Sequence, residues 1–483
     1  LKDFNSDLER STMVGMFGRV AYNYKQKYFL SVTLRRDASS KFGENTRWGT
    51  FPSYAIAYTF SEEPYMDWAR DFLDFGKIRL SYGKSGKQFE YPYFAFGVLI
   101  VNNIPFHGNQ TITPYWPNGL INPKLSWEET KQFDAGLDLE FFGNRLSLEL
   151  DYYYRYTDKL LAQVTLPGDY NAYTAQWQNA YAISNQGIEL QIKADLIRSE
   201  KLHWDFSFNI ARNWNRFEKS NNGMDFTNLA SKHNLNIIGK PLNGIYVYND
   251  QGYYNSQDEV PLYYVNGRRK YLSSLGNQIY SPGDRRIQDV DGNGQVATMV
   301  PLLEDRVYGG SPLPLAFGGI ATTLKWKGID VNLLFSYKLG RHVLNAGRGA
   351  SVGTILRANT AEMMVPILAD LDKVSFWQKP GDNTDFPINE LENGKNNFAT
   401  NLKSNVEKIN YLKLKSISIG YILPVFPKQS KHYARVFMSV ENVFTITNSS
   451  SPDPESIDIV TGVDSNNNYP LATRFTLGLT LNL

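Results

Sequence analysis

The 483-residue chain contains no cysteine, which rules out disulfides, thiol catalysis and thiolate metal sites. It is also poor in net charge: 50 Lys and Arg against 48 Asp and Glu leave a formal +2. Phosphate recognition needs a concentrated excess of cations, so nucleic acid is not an expected partner. Histidine is scarce, and His107, His203, His233, His342 and His432 show no metal spacing such as HExxH. The one G-x-S-x-G spacing, at 349–353, falls inside a long link and not at a strand-to-helix elbow, so no catalytic site is expected and the chain is not read as an enzyme. Long apolar runs are missing as well. Nothing approaches the roughly 18 to 20 residues of a spanning helix, and the mean hydropathy is negative. A helical membrane protein is thereby excluded. A membrane β-barrel is not, because only alternate residues of its strands face lipid. Nothing at Leu1 resembles a signal peptide, so further chain is expected upstream.

What the sequence does have is alternation. From Tyr28 it reads YFLSVTLRRD, with Tyr28, Leu30, Val32 and Leu34 on one face and Ser31, Thr33, Arg35 and Asp37 on the other. At the far end Leu471, Phe475, Leu477, Leu479, Leu481 and Leu483 oppose Arg474, Thr476, Thr480 and Asn482. The same period runs through 14–24, 146–156, 188–196, 202–210 and 329–339. Near Leu412 and Ala434 it is less regular. Counting every candidate predicts about 13 strands. Their polar faces carry full charges, such as Glu149, Asp151 and Arg155, then Glu189, Lys193 and Asp195.

Alternation alone fits a soluble sandwich or a barrel. Length decides, since segments 124–142 and 145–165 exceed the roughly 5 to 6 residues of globular strands and cover the 9 to 11 that cross a bilayer. The connections agree. Tight links at 25–27, 143–144, 199–201 and 327–328 interleave with the long links 86–123, 220–312 and 342–407. Membrane barrels place short turns in the periplasm and long loops outside the cell. Tyr22, Tyr24 and Tyr28 beside a short turn suit an interfacial girdle, or serve simply as good strand formers.

Several phrases resemble the SusC/RagA family of TonB-linked outer-membrane proteins: GRVAYNYKQKYFLSVTLRRDASSKFGENTRWGTFPS at 18–53, IRLSYGKSG at 78–86, NPKLSWEETKQFDAGLDLEFFGNRLSLELDYYYRYT at 122–157 and YLKLKSISIGYILP at 411–424. The closing phrases ARVFMSVENVFTIT and YPLATRFTLGLTLNL are similar too. The resemblance implies an all-β, transmembrane antiparallel barrel of 22 strands with an N-terminal plug, energised through TonB and capped by a SusD-like lipoprotein. Residues 1–483 would be its C-terminal part, without plug or early strands. The expected function is import of a bulky oligosaccharide or peptide across the bacterial outer membrane. A passive porin and a surface β-rich binding protein are the rival readings.

One segment has the spacing of a metal loop. Residues 289–295 read DVDGNGQ, with Asp289, Asp291 and Asn293 at alternate places, Gly294 sixth and the Gln295 carbonyl seventh. Hard calcium takes such oxygen ligands, although the twelfth place holds Val300 instead of Glu. The family resemblance supplies Asp305, of the pair Asp305-Arg306, as the closing ligand, with Glu304 in reserve. The same side chains also suit an Asx-rich turn that satisfies local backbone groups. Aromatic clusters at Phe89, Tyr91, Tyr93 and Phe94, at Tyr115 and Trp116, and at Tyr170, Tyr173 and Trp177 are read as loop cores before substrate platforms.

Overall fold

The computed structural model describes residues 10–90, 95, 99–101, 115–117, 120–166, 175–220, 226–227, 234–265, 267–274, 277–296, 305–347, 375–388, 401–424, 433–465 and 469–482. Two compact units emerge, Leu1–Arg198 with Asp205–Met224 and Ile238–Lys240, and Ser199–Trp204 with Asp225–Ile237 and Pro241–Leu483.

The first unit is an antiparallel meander. Its strands are β1 (Met13–Tyr24), β2 (Tyr28–Ser39), β3 (Trp48–Thr59), β4 (Leu73–Lys87), β5 (Glu128–Phe141), β6 (Leu146–Thr165), β7 (Ala175–Arg198) and, from Asp205 onward, β8 (Leu202–Lys219), each bonded to the next. The second unit continues the pattern with β9 (Ala316–Trp326), β10 (Ile329–Asn345), β11 (Val406–Leu423), β12 (Tyr433–Thr447) and β13 (Arg474–Asn482). These thirteen long strands match the number expected. With 24 residues β7 spans about 80 Å at 3.3 Å per residue, far more than the roughly 25 Å apolar band of a bilayer.

Register makes one face of each meander apolar. Leu30 pairs with Tyr22 and Ile56, Ile56 with Leu80, Leu137 with Ile78 and Leu150, and Leu150 with Leu190. In the second unit the row runs Leu324, Val331, Ile419, Met438, Leu477. These side chains are not a core: Leu477 is 78% exposed and Ile56 51%. A water-soluble sheet would bury such a face.

The two largest buried apolar clusters are built mostly from the connections. Phe42, Phe51, Phe89, Leu125 and Trp127 form one cluster, with Leu161 and Trp177 against it. In the second unit Tyr248, Tyr254, Val260, Leu272, Tyr280, Ile287, Val296 and Leu402 form another. It is framed by the short paired strands Gly244–Tyr248 and Arg306–Gly310. Phe89 and Trp177 therefore serve a loop core, meeting edge to face with centroids 5.0 Å apart.

The expected tight turns fall at Lys25, Asn144 and Lys327, each with positive φ, and between Arg198 and Leu202. The link between β3 and β4 departs from a simple alternation of link lengths. Residues 60–72 join β3 to β4 at the short-turn end with thirteen residues and two 3-10 turns, Phe60–Glu62 and Pro64–Ala69. Residues 448–473 form a further long connection, between β12 and β13. The weak periodicity near Leu412 has a local cause as well. Leu414 pairs with Phe335 but Ser416 with Leu334, so Lys415 is an extra, bulged residue. The bulge shifts the apolar positions from Leu412 and Leu414 to Ile417 and Ile419.

Candidate functional site

The polar face of the strands carries charges held in pairs. Arg79 on β4 donates from Nη2 to Asp138 Oδ1 at 2.7 Å and to Asp151 Oδ1 at 3.0 Å, reaching from β4 to β6. Gly136 lies between them in register, and a Cβ there would stand 2.5 Å from Asp151 Oδ1 and 2.6 Å from the Arg79 guanidinium carbon. Glycine lets the long side chain lie flat across the strand. Gly420 does the same beneath Arg435, whose Nε reaches Asp330 Oδ1 at 2.8 Å. Glu129 is shared by Lys84 and Lys159, both at 2.7 Å.

Onto this face in the second unit folds segment 449–465, which sequence reasoning did not single out. Lys413 is almost fully buried and reaches Asp453 Oδ2 at 3.3 Å and Glu455 Oε2 at 2.9 Å, while Lys415 meets Glu455 Oε1 at 2.7 Å. Arg341, 1% exposed, donates to the carbonyls of Pro312 at 2.9 Å and Ile457 at 3.4 Å, and to that of Asp458. Lys413 and Arg341 thus both meet oxygen, the condition on which burying charge is tolerable. Burial pushes the Glu455 carboxyl up, but hydrogen bonds from Lys415 and Lys413 outweigh it and hold the group below the usual glutamate range. Asp458 is lowered chiefly by the backbone N–H of Thr461. The available signal was the matched spacing, Asp453 and Glu455 two apart like Lys413 and Lys415.

The structure brings Asp289, Asp291 and Asp305 together, with one carboxylate oxygen of each within 4.8 Å of the others. Asp289 accepts from the N–H groups of Gly292 at 2.8 Å and Gly294 at 2.9 Å, and Asp291 from Asn293 N at 3.0 Å. Gly292 and Gly294 have φ of 74° and 82°, which bends the chain around the acids. Buried Asp305 accepts from Val290 N at 2.7 Å, stitching the far side of the loop closed. Asn293 instead accepts from Gln295 N at 2.7 Å and donates to Asp291 Oδ2 at 2.8 Å. Gln295 pairs with Ser273. Tyr263 is pushed up to about 12 by burial and then by the Asp289 charge, so its hydroxyl keeps its proton. The donor set is oxygen only, three of it anionic, and fits a hard divalent cation. Val300, Glu304, Tyr91, Tyr93, Phe94, Tyr170, Tyr173, His107, His233 and His432 lie outside the described residues.

Beside this body opens a polar cleft of about 570 Å³ lined by Asp250, Tyr253, Arg285, Arg286, Asn383 and Asp385, among others. Its floor is fixed, because Asp250 holds Arg285 at 3.0 Å and accepts from Ser404 N at 2.9 Å. Tyr253, raised by burial, donates to the Thr384 carbonyl at 3.2 Å. The rim presents amide, guanidinium and carboxylate groups together, a surface for a polar ligand that both donates and accepts.

Long antiparallel strands with one apolar exposed face and one charged paired face define the wall of an outer-membrane β-barrel. The chain belongs to the family described as TonB dependent receptor-like, beta-barrel, whose model matches residues 2–347. It is 30% identical over 505 aligned residues to TonB-dependent receptor P3 of Formosa agariphila, covering 99% of this chain and 46% of that protein. TonB-dependent receptor SusC of Bacteroides thetaiotaomicron is 27% identical, over 100% of this chain and 45% of its own length. The fold also matches the RagAB peptide transporter with a TM-score of 0.71 at 23% identity, covering 98% of this chain and 48% of that one. The chain therefore spans about half the length of the relatives it matches. The resemblance to SusC and RagA holds, and the protein resides in the outer membrane.

Proposed function

We propose that the chain forms barrel strands and outer loops of an importer that takes up an oligosaccharide or peptide with energy delivered through TonB. The observation that carries this reading is the two-sided chemistry of the strands, apolar toward lipid and charged toward the interior. Family membership narrows a barrel to this class. The long links 86–123, 220–312 and 342–407 would then lie outside the cell, where the polar cleft at Asp250 and Arg285 first meets substrate. A SusD-like lipoprotein would cap them. A plug and the contact with TonB would be supplied from outside residues 1–483. Uptake of labelled oligosaccharides and labelled peptides by cells with and without the gene tests the proposal. One of the two classes should enter in a gene-dependent way and stop when an uncoupler collapses the proton-motive force. Gene-dependent entry that persists with the uncoupler would identify a passive pore.

Calcium is the second element of the proposal, held by Asp289, Asp291, Asn293, the Gln295 carbonyl and Asp305. The juxtaposed carboxylates support it, because a divalent ion offsets their mutual repulsion. Its role is to brace the loop body, with no chemical step. Metal analysis of the full-length protein should return one calcium, and the double variant Asp289→Ala, Asp291→Ala should lose it and expose 234–310 to proteolysis while the strands assemble. A calcium-replete protein without metal would leave the Asx-turn reading in its place.

A further inference from the structure

Thirteen residues join β3 to β4 where the neighbouring links at the same end, 25–27 and 142–145, use three and four, and the extra chain is aromatic: Phe60, Tyr65, Trp68 and Phe72. It is folded, with Ala69 and Leu73 buried beneath it. Its aromatic side chains attach to the apolar face of the first unit. Phe60 packs over Gly76, whose added Cβ would stand 2.5 Å from the Phe60 ring, and Gly76 pairs with Leu139 in the apolar row. Tyr58 and Tyr65 share a hydrogen bond of 2.8 Å between hydroxyls, and Tyr28 donates to Glu63 at 2.8 Å. Phe72 lies parallel to Phe141 with centroids 6.5 Å apart, and Trp68 leans on Phe72 at 5.8 Å.

The segment therefore projects outward from the lipid-facing side at the short-turn end. Trp68 is 71% exposed and Tyr65 60%. Three of its five charges are paired, Glu63 with Lys27 at 3.5 Å and Asp67 with Arg70 at 2.8 Å, while Glu62 and Asp71 are exposed. Exposed rings with a polar edge, continuous with a face already in lipid, suit the boundary between headgroups and acyl chains.

We propose that residues 60–72 form an interfacial shelf whose Tyr65, Trp68 and Phe72 rings sit in the headgroup layer of the bilayer leaflet at the short-turn end. The occupant of this aromatic surface is phospholipid, and the shelf fixes how deeply this side of the barrel rides. The inference rests on the outer-membrane assignment of the strands.

Because the chain has no cysteine, single fluorophores can be placed at will. The full-length protein, free of other cysteines, would carry Trp68→Cys, Tyr65→Cys, Glu200→Cys or Leu150→Cys labelled with bimane in phosphatidylethanolamine and phosphatidylglycerol vesicles. Nitroxide near the headgroup should quench positions 65 and 68 about threefold more than position 200, and aqueous iodide should show the reverse order, as expected for rings about 5 to 10 Å into the interface. Iodide access at 65 and 68 equal to that at 200 overturns the shelf, and so does shielding from both quenchers, which would mean a protein covers it. Position 150, expected to respond to deep nitroxide, separates the two failures: if it does not respond, the membrane assignment itself has failed. Position 65 keeps the test open should the Trp68 variant not assemble.

Discussion

The long strands and the loop body around Leu272 obey opposite rules of burial. On the strands Leu30, Ile56, Leu150 and Leu477 are exposed while Arg79, Asp138 and Glu129 pair on the other face. In the loops Tyr248, Leu272, Tyr280 and Val296 are wholly buried, as in any water-soluble globule. One chain thus folds for two solvents. Hydrophobic burial stabilises the loop body, whereas in the strands the ladder hydrogen bonds are made within the protein because lipid offers none.

Two substitutions break that contrast from opposite sides. Leu272→Ala removes packing inside the loop body and should cost about 2 to 5 kcal/mol of local stability. Limited proteolysis would read this as faster cleavage within 234–310 while the strands stay folded. Cleavage unchanged from wild type would mean the loop body draws its stability elsewhere. Leu150→Arg places a charge midway along an apolar strand face and should cost about 2 to 4 kcal/mol in denaturant unfolding from vesicles, against within about 0.5 for Ile279→Arg in the loop. Equal costs at 150 and 279 would show that position 150 does not face lipid.

The same division decided what could be read from the residues alone. Period-two alternation is local, so β1, β2, β6 and β13 are visible directly in the sequence. Where register breaks, as at the bulged Lys415, the pattern loses phase although the strand continues. The thirteen-residue link 60–72 escaped because a rule about link length says nothing of a turn with its own affinity for an interface. Asp289 and Asp291 were legible from spacing, whereas Asp305 became so only through family resemblance. The clamp of Lys413 on Asp453 joins residues 40 apart, and Arg341 reaches carbonyls 116 and 117 positions away. Such partners are set by tertiary packing, which no local period encodes. The small strand Gly244–Tyr248 is buried throughout and so shows no alternation.

The mildest expected effect lies where the two regimes meet, at segment 449–465 on the polar face. Glu455 is anionic between Lys415 and Lys413, and despite its burial these cations hold its carboxyl below the usual range. A group lowered on folding contributes stability above its unfolded-state pKa, and that contribution is lost as pH falls through the folded value. Docking of 449–465 should therefore be unchanged from neutral pH down to the ordinary glutamate range and weaken below it. Since Glu455 is partly solvated and screened, the loss should be no more than about 1 kcal/mol. Hydrogen exchange at Ser456 and Leu471, followed across that interval, measures it. Glu455→Gln should exchange at neutral pH as the wild type does in acid and lose most of the pH response. A wild-type response that persists in Glu455→Gln would show that Glu455 does not govern the docking of 449–465.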